Sequence, residues 1–176
     1  MKLPTHKQPI QNAWVVDDID TAAMHWVENM GVGPFFIAEY NSTILTDTSY
    51  RGKPTEITMI TALAYAGDCQ IELVQPLGKQ SNIYRDTVSA GSTGFHHICC
   101  WSDDLKADIQ HYRDVGYEVA SQGSVINGPS FAYIDTHKDF GCMLELMEVN
   151  AGLQAMFQMF ADAAKDWDGT EPLRRL

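Results

Sequence analysis

Residues Gln11 to Trp26, QNAWVVDDIDTAAMHW, can be laid without gaps on His97 to Tyr112, HICCWSDDLKADIQHY, at an offset of 86 residues. Asp17 meets Asp103, Asp18 meets Asp104, and His25 meets His111. Ile19 faces Leu105 and Trp26 faces Tyr112, so the likeness extends to apolar positions. A repeated unit of this size settles architecture before any residue is given a role, because one unit alone leaves an apolar face uncovered.

Both copies read as a short apolar strand, a pair of aspartates that can cap the next helix and suit its positive end, and then the helix itself. Gly31 and Gly116 mark the two helix ends. Strand material follows in each half: FFIAEY and TEITMITALAYA in the first, YEVA and SFAYID in the second. Hairpin-type turns come next, AGD at Ala66 to Asp68 and THKDFG at Thr136 to Gly141, and then two like strands, CQIELVQP from Cys69 and CMLELMEV from Cys142. Each half is therefore βαβββ, and the chain is expected to be a single α+β domain over 1–176 in which two modules, 9–77 and 94–149, pair into a half-barrel. The stretch from Asn41 to Pro54 lengthens the first module by 13 residues and is expected to lie over the mouth of the cavity. Residues 152–167, GLQAMFQMFADAAKDW, place Leu153, Phe157, Phe160, Ala164 and Trp167 on one stripe of a C-terminal helix that docks on the domain or on a partner subunit. The last residues, DGTEPLRRL, read as an extended tail.

Strands alternate faces, so on the last strand of module one Ile71 and Leu73 point one way and Glu72 the other. The same count puts Leu144 and Leu146 under the second helix and turns Glu145 to the opposite surface. Glu72 and Glu145 are repeat-equivalent, and so are Gln11 and His97. Singly, each has a bland explanation: a satisfied core histidine, glutamates at solvated strand ends, a polar glutamine. Together, at matching places in a repeat, they point to one divalent metal ion, because a carboxylate facing a partly apolar concavity is costly unless paired or bound to a metal. Carboxylate, imidazole and amide oxygen suit zinc, nickel, iron, manganese or cobalt alike. His96 is expected to point to the other face, and His6, His25, His111 and His137 to lie at the surface. Trp101, on the His97 face, and Tyr133, on a central strand, are candidates to line a substrate pocket.

Composition bounds the partners. Twenty-three acidic residues against twelve Lys and Arg give a net charge of −11, with the basic residues scattered, which argues against nucleic acid. No segment approaches the ~20 consecutive apolar residues of a bilayer span, and the opening MKLPTHKQPIQ lacks the apolar core of a signal peptide, so a cytoplasmic protein without membrane partners is expected. Cys69, Cys99, Cys100 and Cys142 form no CxxC pair and read as reduced core residues, with a thiolate at Cys99 or Cys100 as the alternative.

The pieces QNAWVVDDID, IELVQPLGKQSNIY, GFHHICCWSDDL and FAYIDTHKDFGCMLELME resemble the vicinal oxygen chelate superfamily over roughly residues 9 to 149. That superfamily includes glyoxalase I, methylmalonyl-CoA epimerase, extradiol dioxygenases, fosfomycin-resistance enzymes and bleomycin-binding proteins. The resemblance implies metal ligands Gln11, Glu72, His97 and Glu145, the Gln, Glu, His, Glu order of animal-type glyoxalase I, whereas the wording ELVQPLGKQSNIY followed by GFHHIC is closer to the epimerase. It implies a homodimer and an isomerase, epimerase or lyase acting through a metal-bound enolate of a small carbonyl compound or thioester. Glu145 is the first choice of base and Glu72 the second. Two alternatives stay open: a sequestering protein of the same fold, and a metal-dependent dioxygenase of a phenol. CoA and glutathione are anions, and only Arg51, Lys53, Lys79 and Arg85 stand near loops to receive them. An uncharged carbonyl compound is an equal candidate.

Overall fold

The computed structural model describes residues 7–78 and 80–176; His6 and Lys79, singled out above, lie outside them. The first half runs β1 (Pro9–Val15), α1 (Ile19–Met30), β2 (Phe35–Tyr40), β3 (Leu45–Tyr50), β4 (Lys53–Pro54), β5 (Met59–Ala66) and β6 (Cys69–Pro76). After a single 3-10 turn at Ile83–Arg85, the second runs β7 (Gly94–Ser102), α2 (Leu105–Asp114), β8 (Val119–Val125), β9 (Ser130–Ile134), α3 (His137–Phe140) and β10 (Met143–Glu148), with α4 (Ala151–Ala164) and β11 (Leu173–Arg175) beyond. The paired aspartates act as the repeat predicts. Asp18 accepts from the Thr21 amide at 2.7 Å and Asp104 from that of Ala107 at 3.0 Å, each capping its helix. Gly31, at φ 65, closes α1 in the left-handed region.

The strands form one sheet in the order β11-β2-β5-β6-β1-β7-β10-β9-β8-β3-β4, with the two halves joined by antiparallel pairing of β1 with β7. Its curvature follows from chain connectivity. Between β2 and β3 lie eight strand spacings, about 38 Å if the sheet were flat. The chain crosses from Tyr40 to Leu45 in five residue steps, at most about 18 Å. The sheet must therefore bend round until its ends approach, which makes one face concave.

α1 covers the convex face of the first half, over Val16, Ile19, Ala23, Ile71 and Leu73. α2 covers that of the second, over Cys100, Leu144 and Leu146. α4 differs, because it docks on the concave side: Phe160 is buried against Leu63 and stacks on Phe36 with ring centres 4.0 Å apart. Ala164 ends this helix, and Trp167 lies beyond it with its indole against Gly33, where any Cβ would fall 2.6 Å from the ring.

Two expectations are corrected, and a third, the hairpin turn THKDFG, is refined. The stretch from Asn41 to Pro54 is not a loop over the mouth. It holds two strands, and β3 pairs with β8 of the other half, so it extends the wall. THKDFG carries a helical turn, α3, inside the β9–β10 hairpin. The tail DGTEPLRRL supplies β11, which pairs with β2 and closes a sheet edge, while Arg175 grips Asp20 of α1 at 2.6 and 2.7 Å. Phe160→Ala is expected to lower unfolding free energy by about 3 kcal/mol in a denaturant titration, since it removes the buried ring that holds α4 in the concavity.

Candidate metal centre and its cavity

Four neighbouring strands, β6, β1, β7 and β10, build the centre. Ala13 on β1 pairs on one side with Glu72 and on the other with His97, and Cys99 on β7 pairs with Gln11 and with Glu145. All these positions share the concave face. One ligand atom from each of Glu72, His97 and Glu145 lies within 4.8 Å of the others. His97 Nε2 is 3.2 Å from a Glu72 oxygen and 3.1 Å from a Glu145 oxygen, yet it is fully buried and has no hydrogen-bond partner. The nitrogen sits near both carboxylates without being aligned on either.

Strict alternation placed His96 on the far face, and the structure corrects this. Ala13 and Trp14 pair with His97 and Phe95, leaving His96 as an extra residue in a bulge that lets both imidazoles face inward. β1 has a bulge of its own between Pro9 and Gln11, at Ile10, the repeat equivalent of His96. The bulged histidine settles a proton. His96 Nε2 is 3.0 Å from the Ile83 carbonyl, which can only accept, so Nε2 carries the hydrogen and Nδ1 is a lone pair. His97 Nδ1 lies 2.9 Å from that lone pair and donates to it. When His97 is neutral, its Nε2 is left as a lone pair aimed between the carboxylates, the form a metal requires. Gln11 is held likewise: its amide nitrogen donates to Gln70 at 2.7 Å, and the Gln70 amide donates to Tyr65 at 3.0 Å, so the Gln11 oxygen is its uncommitted atom.

Charges respond as burial dictates. Burial opposes protonation of His97, but the carboxylates of Glu145 and Glu72 outweigh it and raise the imidazole to about 9. His96 is driven down to about 3 by burial and by His97 beside it. Burial and the Glu145 charge raise the Glu72 carboxyl against the opposing pull of His97. Cys99 is raised well above the thiol range by burial and by both carboxylates, and Cys100 is raised mainly by burial. Neither is poised as a thiolate.

Gln11, Glu72 and Glu145 open into a cavity of about 560 Å³. Tyr133 lines it, and its hydroxyl lies 3.2 Å from that of Tyr84. Trp101 does not. It packs against Phe157 with ring centres 5.8 Å apart and lines a second cavity on the other side of α4. The sequence reading missed Tyr84, which the 3-10 turn between the halves inserts beneath the sheet. Asn82 was the available signal, since its side chain caps that turn by accepting from the Arg85 amide.

Comparison with known proteins agrees with this geometry. Residues 10–133 match the family model described as the glyoxalase/bleomycin resistance protein/dioxygenase superfamily. The chain belongs to that superfamily. Among solved structures, a hypothetical protein of Bacillus halodurans is 18% identical, with 83% of this chain and 96% of that one covered and a TM-score of 0.57. The methylmalonyl-CoA epimerase of Mycobacterium tuberculosis is 21% identical over 84% and 91%, with a TM-score of 0.54. A variant of the Streptomyces coelicolor methylmalonyl-CoA epimerase in complex with 2-nitronate-propionyl-CoA is 18% identical over 84% and 97%, at 0.59. Among curated proteins no sequence matches. At these identities the structures share the superfamily's α+β fold with this chain.

The donor set fits a divalent ion. A buried carboxylate, a half-buried one and a buried imidazole converge with no Lys or Arg among the described residues in contact with them, and the buried Nε2 has nothing else to bind. Because the flanking carboxylates raise the His97 imidazole to about 9, a divalent ion competes with a proton there. Affinity for a divalent ion is expected to rise about tenfold per pH unit from pH 6.5 to about 9, with one proton released, as read by calorimetry in buffers of different ionisation enthalpy. His96→Ala is expected to weaken metal binding by about 10- to 100-fold without touching the ion, because it frees the His97 tautomer and ring angle.

Proposed function

We propose that the protein is a metal-dependent isomerase, epimerase or lyase that removes and returns a proton beside a carbonyl group of a small molecule. The observation that carries this reading is the pair of carboxylates, one from each half, on either side of a buried imidazole nitrogen and open to an apolar cavity. A divalent ion held by Gln11, Glu72, His97 and Glu145 would supply positive charge against the oxygen of the developing enolate. The remaining steps belong to the chain's own groups.

Glu145 is the base. Its carboxylate stands on β10 at the cavity wall, where water is scarce and proton transfer from carbon is not outcompeted by solvation. Glu72 reaches the same space from β6, on the other side of β1 and β7, so a substrate between them meets one carboxyl group on each flank. That arrangement suits proton removal from one face and return to the other. Glu72 is the second candidate for the group that handles the proton on that face. Tyr84 and Tyr133 are held as neutral phenols by burial and by the nearby carboxylates, and they supply the other hydrogen-bond donors on this wall. His97 and Gln11 position and do not transfer protons.

Deuterium exchange into the carbon next to a carbonyl tests the proposal. Glu145→Gln is expected to keep the metal, since its amide oxygen can still ligate, and to lower exchange by about 100-fold or more. Chelation should abolish exchange and readdition of metal restore it. Exchange that survives both the substitution and chelation would sink the proposal, and metal retention with no exchange in the unsubstituted protein would leave a sequestering protein in its place.

A further inference from the structure

The cavity above the centre has a one-sided chemistry. Its walls are Leu45, Met59 and Leu63 from the first half, Val125 and Phe131 from the second, and Leu153 from α4, with comparable residues between them. Among the described residues no Lys, Arg or His lines it, and the charged groups in it are the carboxylates of Glu39, Glu72 and Glu145. α4 comes from outside the repeat and lies in the concavity, so it adds an apolar wall to a chamber that remains partly open to solvent.

Several of the described cations near the loops are engaged elsewhere, while Lys53 is exposed at the surface and is not among the residues that line the cavity. Arg51 is gripped by Asp86 at 2.7 Å, Glu118 at 2.6 Å and Asp135 at 2.7 Å. Arg85 faces Asp17 at 3.5 Å and donates to the Ser89 carbonyl at 3.1 Å. Lys7 is held by Asp108 at 2.5 Å. With a net charge of −11 the field around the chain also repels anions. A CoA thioester carries several phosphate charges on a long polar arm, and it would leave those charges facing carboxylates while its small acyl group left the apolar walls unfilled.

We infer that the substrate is a neutral, largely apolar carbonyl compound that places its body against the α4 wall and its oxygen at the Glu72, His97, Glu145 centre. This rests on the proton-transfer reading of the same site and narrows it to one substrate class. An apolar body gains from desolvation against these walls, whereas each phosphate brought near the centre must give up hydration with no cation in return.

The test is calorimetric titration of the zinc-loaded protein with 2-hydroxyacetophenone and, separately, with propionyl-CoA, at low and high salt. The neutral ketone is expected to bind at least about tenfold more tightly, with an affinity that salt does not weaken. Leu153→Arg should lower ketone affinity by about tenfold or more at unchanged zinc content, and Met156→Gln, a milder change on the same helix, should lower it in part. Equal or tighter binding of propionyl-CoA overturns the inference, as does failure of the ketone to bind or indifference of its affinity to Leu153→Arg. The two readings fail differently. Ketone binding without deuterium exchange removes the proton-transfer proposal and keeps the substrate class. Exchange into the thioester with no ketone binding removes the substrate class and keeps the proton transfer.

Discussion

The antiparallel pairing of β1 with β7 sets where every group at the centre can be. It places the first strands of the two halves side by side and leaves each half's last strand, β6 or β10, one place further out. In a flat sheet β6 and β10 would be three spacings apart, about 14 Å, too far for two glutamates to meet. The curvature forced by the short Tyr40 to Leu45 crossing tilts these outer strands inward, and the side chains then close to within 4.8 Å of one another around His97. Sheet curvature and site assembly are thus coupled, and the core cluster that joins Val15, Met59 and Val74 to Phe131, Tyr133 and Met143 lies across the same seam.

Once assembled, the centre is electrostatically unbalanced. Two carboxylates held close together in a largely apolar cavity repel each other, and the single imidazole between them, raised to about 9, offsets only part of this. The same features that make the empty arrangement costly make it receptive to a divalent cation, because the ion replaces one positive charge with two and uses the lone pairs already aimed inward. The apolar walls sharpen the effect by keeping water from screening those charges.

Much of this was legible in the sequence, for physical reasons that can be named. β2 and β6 fall on the residues FFIAEY and CQIELVQP because short apolar runs bounded by turn residues have little freedom in where they begin and end. Period-two alternation turned Glu72 and Glu145 away from the buried Ile71, Leu73, Leu144 and Leu146, and the repeat paired them. The failures come where alternation breaks or where a long-range partner decides. His96 escaped because a bulge adds a residue that no pattern of single-strand polarity reveals. β3 and β11 are polar strands near the two margins of the sheet whose identity depends on β8 and β2, far away in the chain, and so they read as loop and tail. Trp101 does share a face with His97, but α4 cuts across that face and puts the indole in a different compartment. Face is local information and compartment is not.

The repeat also explains how two unlike candidate ligands can stand at equivalent places. Gln11 and His97 stand at matching positions, and each is fixed by a buried hydrogen-bond chain that consumes its other polar atom. Gln11 gives its amide nitrogen to Gln70, which is itself tied to Tyr65, and His97 gives Nδ1 to His96, which is tied to the Ile83 carbonyl. The partners differ because the bulge residue differs: Ile10 in the first half has no polar atom to offer, so the holding group comes from the neighbouring strand instead. What the two halves share is a rule of construction, in which one polar atom of each side chain is committed inside the protein and the other is left over. A candidate ligand and its holder are therefore matched, since a side chain with an unheld second atom would turn freely and lose the orientation that the centre depends on.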